Sequence, residues 1–285
     1  MNKEGFNMDT SSISFTALYT GQVWYEHGLS APFFTSSKSR LMYWGLQPGE
    51  KIAALTLGVN SQHLLLQRHH IMNYRIQQLI KDGFTQILEL ACGLSPRGYT
   101  LTRQHPELNY IEADLPAMAK HKKALLKNNN GFGKHHQVTA CNILERGAPN
   151  GLDYILDHKL DRNQKTIIIT EGLITYFSRE TLIPFWKTIA SAGKNFKELR
   201  YFADCYPAPR KSTHYKMLIG PMKLVGALTR SDLSPLFDSA EHATACLKDT
   251  GFNNTITHTP EDYYSILNIP KTRNAAITKV IEAIT

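Results

Sequence analysis

A short apolar run rich in strand formers, Ile87-Leu88-Glu89-Leu90, breaks into the small-residue loop Ala91-Cys92-Gly93-Leu94-Ser95-Pro96, and a helical pattern follows from Arg97. Such a strand–loop–helix unit brings backbone amides close to a ligand beyond the strand end, because Ala91 and Gly93 add no bulk there. The unit opens a series. Strands are expected over residues 85–91, 108–113, 136–141, 166–170 and 199–205, with helices over 96–104, 116–127, 152–158 and 181–190 between them. The Thr-Ile-Ile-Ile-Thr run at Thr166 to Thr170 is β-branched throughout and carries the strongest strand signal. Strands alternating with helices predict an α/β chain with a doubly wound, Rossmann-like parallel sheet covered on both faces.

The flanks read differently. Residues 1–80 are expected to form a helical N-terminal cap, with turns at Gly28 and around Gln47-Pro48-Gly49. The core is expected over residues 81–285, interrupted near 207–233 by a lid-like insertion containing Pro209 and Pro221. A helix over 234–250 and a strand over 254–258 close the pattern. No linker-like stretch divides the chain, so residues 1–285 are read as a single domain.

Composition removes several classes of function. No run of about 18 apolar residues is present, so no transmembrane helix is expected. The polar stretch from Met1 to Ser12 lacks a signal-peptide core, and a cytoplasmic address is the default expectation. Cys92, Cys141, Cys205 and Cys246 form no C-x-x-C pair and read as reduced thiols. The tandem pairs His69-His70 and His135-His136 cannot easily turn both rings toward one ion, so no metal site is expected. The net charge of +8 is dispersed, and its densest group, Lys120, Lys122, Lys123 and Lys127, reads as a solvated helix face. Nucleic acid is therefore not an expected partner, and the oligomeric state is left open.

In an open parallel sheet, ligands bind beyond the carboxyl ends of the strands. Polar residues stand at all five predicted ends: the loop after Leu90, Asp114, Asn142-Ile143, Glu171-Gly172 and Asp204-Tyr206. An acidic residue after the second strand, Glu112 or Asp114, is where a nucleotide ribose is usually held. A dinucleotide pyrophosphate wants G-x-G-x-x-G, but Ala91 replaces the first glycine and Pro96 removes an amide donor. Glu89, just before the loop, suits a cationic ligand such as the ammonium and sulfonium of S-adenosylmethionine.

The block Leu88-Glu89-Leu90-Ala91-Cys92-Gly93-Leu94-Ser95-Pro96-Arg97 resembles motif I of the leucine carboxyl methyltransferase superfamily, which includes polyketide O-methyltransferases of the tetracenomycin type. Tyr110-Ile111-Glu112-Ala113-Asp114-Leu115-Pro116 resembles its aromatic-x-E-x-D-x-P block, and Thr170-Glu171-Gly172-Leu173-Ile174-Thr175-Tyr176-Phe177 its E-G block. The resemblance implies a class I S-adenosylmethionine-dependent methyltransferase. It implies that Gly93 lines the methionine part of the cofactor, Asp114 holds the ribose, Asn142 and Ile143 frame the adenine, and Glu171 lies beside the cofactor, while Ala91 and Glu89 join this set on their own chemistry at the loop. It also implies an arginine for the cofactor carboxylate, which Arg68 or Arg75 could supply. Ser95-Pro96 depart from the family's D-T, and Asn142 stands where an aspartate is usual.

The expected activity is O-methylation of a carboxylate or hydroxyl on a small molecule or carrier-bound acid. Tyr176, Tyr206, His214 and Lys216 fall near the predicted mouth, the first three being the catalytic candidates. Protein carboxyl methylation and non-catalytic cofactor binding are the rival readings.

Overall fold

The computed structural model describes residues 15–58, 60–208 and 235–285. The chain begins with α1 (Phe15–Glu26), α2 (Ser37–Leu57) and α3 (Ser61–Lys81). The alternating part runs β1 (Phe84–Leu90), α4 (Arg97–Gln104), β2 (Asn109–Asp114), α5 (Pro116–Asn128), β3 (His136–Ala140), α6 (Leu152–His158), β4 (Lys165–Thr170), α7 (Arg179–Gly193) and β5 (Glu198–Cys205). It ends with α8 (Ala240–Asp249), β6 (Asn254–His258) and β7 (Lys279–Ile284).

The seven strands lie in the order β3-β2-β1-β4-β5-β7-β6. The first five are mutually parallel, in register such that Glu89 faces Glu112 and Leu90 faces Thr170 across β1. The chain winds outward from β1 to β3 and returns to β4 beside β1. The strand order reverses there, and the carboxyl ends of β1 and β4 flank the crevice where a ligand fits.

Apolar residues on each face of the sheet explain the double winding. On one face, Leu88, Leu90, Ile168 and Tyr201 pack with Leu182, Trp186 and Ile189 of α7 and with α6 and α8. On the other, Ile87, Ile167, Ile169 and Phe202 pack with Ile71, Met72, Ile76 and Leu79 of α3. Because α3 contributes to this second core, the N-terminal helices are built onto the sheet.

Four expectations need correction. The all-parallel sheet is wrong at one edge: β7, absent from the sequence reading, inserts antiparallel between β5 and β6. Gln47-Pro48-Gly49 is no turn but lies inside α2. Both halves of that helix are tied down, since Tyr43 is buried and Glu50 binds Tyr19 (3.2 Å) and the Ser61 amide (2.9 Å). Lys122 is not on a solvated face; it is fully buried and paired with Glu112 at 2.7 Å. The late helix starts at Ala240, capped by the Ser239 hydroxyl, rather than at 234. Most of the expected insertion, including His214 and Lys216, lies outside the described residues.

Candidate active site

The loop after β1 is shaped by two residues in left-handed backbone conformation, Ala91 (φ 52°) and Gly93 (φ 48°). Glycine adopts this conformation without cost, whereas an alanine there is strained by roughly 1 kcal/mol. Asp114, at the end of β2, holds the loop: one carboxylate oxygen accepts the Gly93 amide at 2.7 Å and the other the Leu115 amide at 2.7 Å. Burial pushes its carboxyl above the usual range despite these two bonds. Each oxygen retains a second lone pair for a ligand hydroxyl. Helix α1 crosses above, placing Ala17 3.4 Å from where a Gly93 side chain would start.

The loop after β4 repeats the device. Gly172 (φ 71°) donates its amide to Asp204, at the end of β5, at 2.6 Å. A side chain on Gly172 would begin 2.6 Å from Arg68 Nη2, so the glycine is required for the arginine to lie there.

A buried charge network joins the two loops. From α3, Arg68 reaches Glu171 (3.1 Å), Asp204 (2.9 Å) and the Tyr206 hydroxyl (2.8 Å). His69 Nδ1 lies 3.0 Å from Glu171 and 3.2 Å from Arg97 Nη2; a single ring proton serves the shorter, carboxylate contact. Arg97, at the start of α4, pairs with both Glu89 and Glu171 and donates to Asn73 at 2.6 Å. Tyr110 donates to the second oxygen of Glu89 at 2.7 Å. Burial alone would raise the Glu171 carboxyl, but His69, Arg97 and Arg68 outweigh it and hold the group well below the usual range. Burial keeps His69 neutral, lowering its pKa against the pull of Glu171.

These contacts sort the sequence candidates. Arg68 lies in the network, whereas Arg75 is two turns away and pairs with Glu282 of β7 at 3.1 Å. Ala91, Gly93 and Asp114 lie together at the ends of β1 and β2, and Arg68 and Glu171 meet at the end of β4. Glu89 sits beneath the loop with both oxygens committed to Arg97 and Tyr110, so it faces those groups rather than the crevice. Glu112 is likewise an internal anchor, held by Lys122 and by His136 at 3.1 Å. Asn142 closes its own turn, accepting the Leu144 amide at 3.2 Å and donating to Glu145 at 3.0 Å. Ile143 is buried in the core beside Leu90 and Ile111. Tyr176 donates to Thr16 at 3.0 Å, and burial holds both its hydroxyl and that of Tyr206 protonated.

The sequence reading missed His69 and Asn73 as members of this site, and had noted Asp204 only as a polar strand end and Arg97 only as a motif match. One signal was available: positions 65, 68, 69, 72, 73 and 76 share one face of a helix, and this face carries Arg68, His69 and Asn73 among apolar residues. Elsewhere the tandem histidines diverge, with His136 turned inward to Glu112 and His135 outward to exposed Glu107. Among the described residues no cluster of three or more His, Cys, Asp or Glu could hold a metal ion.

A sheet in this order with its antiparallel seventh strand, a tight loop after β1 and an acid after β2 make up the fold of the class I methyltransferases. The model of the leucine carboxyl methyltransferase family matches residues 36–190, more than half of the chain, and the chain belongs to that family. A Thermobifida fusca protein provisionally assigned as a methyltransferase has a similar structure (TM-score 0.57, 14% identity), covering 99% of this chain and 98% of that one. PigF with S-adenosylhomocysteine is similar at TM-score 0.51 and 14% identity, over 95% of this chain and 68% of that one. Magnesium protoporphyrin IX methyltransferase from Synechocystis PCC 6803, also with S-adenosylhomocysteine bound, is similar at TM-score 0.50 and 11% identity, over 78% and 85% of the two chains. At these identities the likeness is one of fold. No curated protein matches the sequence significantly. No helix among the described residues is long and apolar enough to cross a membrane.

Proposed function

We propose that the protein transfers a methyl group from S-adenosylmethionine to an oxygen of a small molecule or carrier-bound acid, a carboxylate being better supported than a hydroxyl. The site fits the cofactor. Ala91 and Gly93 leave room at the loop, Asp114 offers free lone pairs for the ribose hydroxyls, and Arg68 Nη2 lies at the Gly172 edge, where it would meet the cofactor carboxylate. Arg68 and Arg97 face Glu89, Glu171 and Asp204, so with His69 neutral the network carries one surplus negative charge. That sign suits a cationic ligand better than a pyrophosphate. When bound, the cofactor supplies an electrophilic methyl carbon.

The observation that favours a carboxylate is the commitment of the described acids and bases at the strand ends other than Asp114, whose free lone pairs are assigned to the ribose. Glu89, Glu171 and Asp204 are locked in ion pairs, His69 is buried against Glu171, and the phenols of Tyr176 and Tyr206 stay protonated. A hydroxyl acceptor needs a group to take its proton as the bond forms. A carboxylate is already ionised at neutral pH and needs only to be oriented and shielded from water. Tyr176 and the start of α1, joined by the Tyr176–Thr16 hydrogen bond, would serve that task.

Incubation with methyl-labelled S-adenosylmethionine and a panel of acids and phenols tests the reading. A carboxylate acceptor yields a methyl ester that releases its label as methanol in mild base. A base-stable methyl ether would show a hydroxyl acceptor instead, and label on a polypeptide would favour protein methylation.

A further inference from the structure

Helix α2 carries a second apolar stripe, on the side opposite the one that packs against α1. Leu41, Trp44, Ile52 and Leu55 are 77%, 58%, 62% and 74% exposed, and Pro48 between them is exposed too. At about 100° per residue these five positions fall within an arc of about 80°, so they form one continuous line along the helix. No charged residue lies in that arc, whereas Ser39 and Tyr43 on the opposite side are buried. Large apolar side chains scattered singly need no explanation, but a contiguous line of them marks an interaction surface.

The spacing of the stripe is palindromic. From Leu41 the steps are to Trp44, Pro48, Ile52 and Leu55, which reads the same in either direction about Pro48. Two copies of α2 laid antiparallel, with a two-fold axis at Pro48, set Leu41 against Leu55 and Trp44 against Ile52 in both halves at once. A self-complementary patch of this kind is what an isologous interface requires.

Two glycines point the same way. Gly45 and Gly49 lie inside α2, both exposed, and a side chain added at either meets nothing within 4 Å. Each costs the helix about 1 kcal/mol relative to alanine, with no packing need in a single chain. Gly45, which borders the stripe, leaves room there for a second backbone to approach, whereas Gly49 lies farther round the helix. The exposed parts of the four large side chains amount to roughly 500 Å² per copy, so a pair buries about 1,000 Å², the lower bound for a specific interface.

We propose that α2 is a homodimerisation helix, pairing antiparallel with α2 of a second copy about Pro48. Sedimentation equilibrium of the full chain should show a monomer–dimer equilibrium, and Leu55→Glu should weaken it at least about ten-fold. Since Leu55 is exposed in the single chain, that variant should keep its circular dichroism spectrum and its affinity for S-adenosylmethionine. With Cys246 replaced by serine, Pro48→Cys should cross-link to itself with a short bismaleimide. Leu41→Cys should cross-link to Leu55→Cys but not to itself. A monomer at all concentrations, a dimer indifferent to Leu55→Glu, or self-cross-linking of Leu41→Cys would overturn the proposal. So would a monomer that binds phosphatidylglycerol vesicles through this stripe.

Discussion

Replacing Arg97 by methionine keeps most of the side-chain volume and removes the cation at the centre of the network. Arg97 is buried and serves Glu89, Glu171 and Asn73 together. After its loss, Glu171 still has Arg68 at 3.1 Å and His69 at 3.0 Å, but Glu89 keeps only the Tyr110 hydroxyl at 2.7 Å. One buried carboxylate is then without a counter-charge, which costs about 3–5 kcal/mol. Arg97→Met should therefore lower the unfolding free energy by that amount in urea titrations at neutral pH, followed by circular dichroism. Adding Glu89→Gln removes the stranded charge, so the double variant should recover about 1–3 kcal/mol relative to additivity. A single-variant loss below about 1 kcal/mol, or strict additivity of the two changes, would refute the reasoning, because it would mean that the pair is not electrostatically coupled.

Three further outcomes follow from the same contacts. Gly172→Ala places a Cβ 2.6 Å from Arg68 Nη2 at a φ of 71°, so Arg68 must move; equilibrium binding of S-adenosylmethionine should weaken by on the order of ten-fold, about 1.4 kcal/mol. Gly98→Ala drives a Cβ to 2.6 Å from His136 Nε2 and 2.7 Å from Glu112 Oε1, both in a buried cluster; the overpacking should cost about 1–3 kcal/mol in a thermal melt. His69 has its pKa depressed by burial, so the unfolded chain takes up its proton more readily than the folded one. Its contribution lowers stability as pH falls below about 6.5, and His69→Gln should flatten the urea-derived stability profile from there downward.

What was legible in the sequence depended on how local each signal was. The β1 loop, Asp114 and Glu171 stand at strand ends within short motifs, so a strand pattern followed by small or acidic residues was enough to find them. The charge network was not legible in the same way: Arg68 and Asp204 are 136 positions apart, and only the sheet order brings them together. The same holds for β7, whose partners β5 and β6 precede it in the chain and whose residues are mostly buried, leaving little alternation to read. Pro48-Gly49 carries a strong turn signal, yet the anchoring of Glu50 and Tyr43 on α1 and α3 overrides it. Lys122 misled because a lysine among lysines reads as solvated, and the buried partner Glu112 lies on a different element. Glu89 illustrates a further limit. Its position before the loop was read correctly, but its charge is neutralised by Arg97 from the following helix.

The central claim is that the crevice between the β1 and β4 loops binds S-adenosylmethionine through Asp114. Isothermal titration of the wild-type chain and of Asp114→Ala, side by side with S-adenosylmethionine, tests it most directly. Saturable binding of one ligand per chain is expected. Loss of the charged hydrogen-bond acceptor should weaken it by about 1.5–3 kcal/mol, on the order of ten-fold to a hundred-fold. Equal affinity in the two proteins, or no binding to the wild type, would contradict the account.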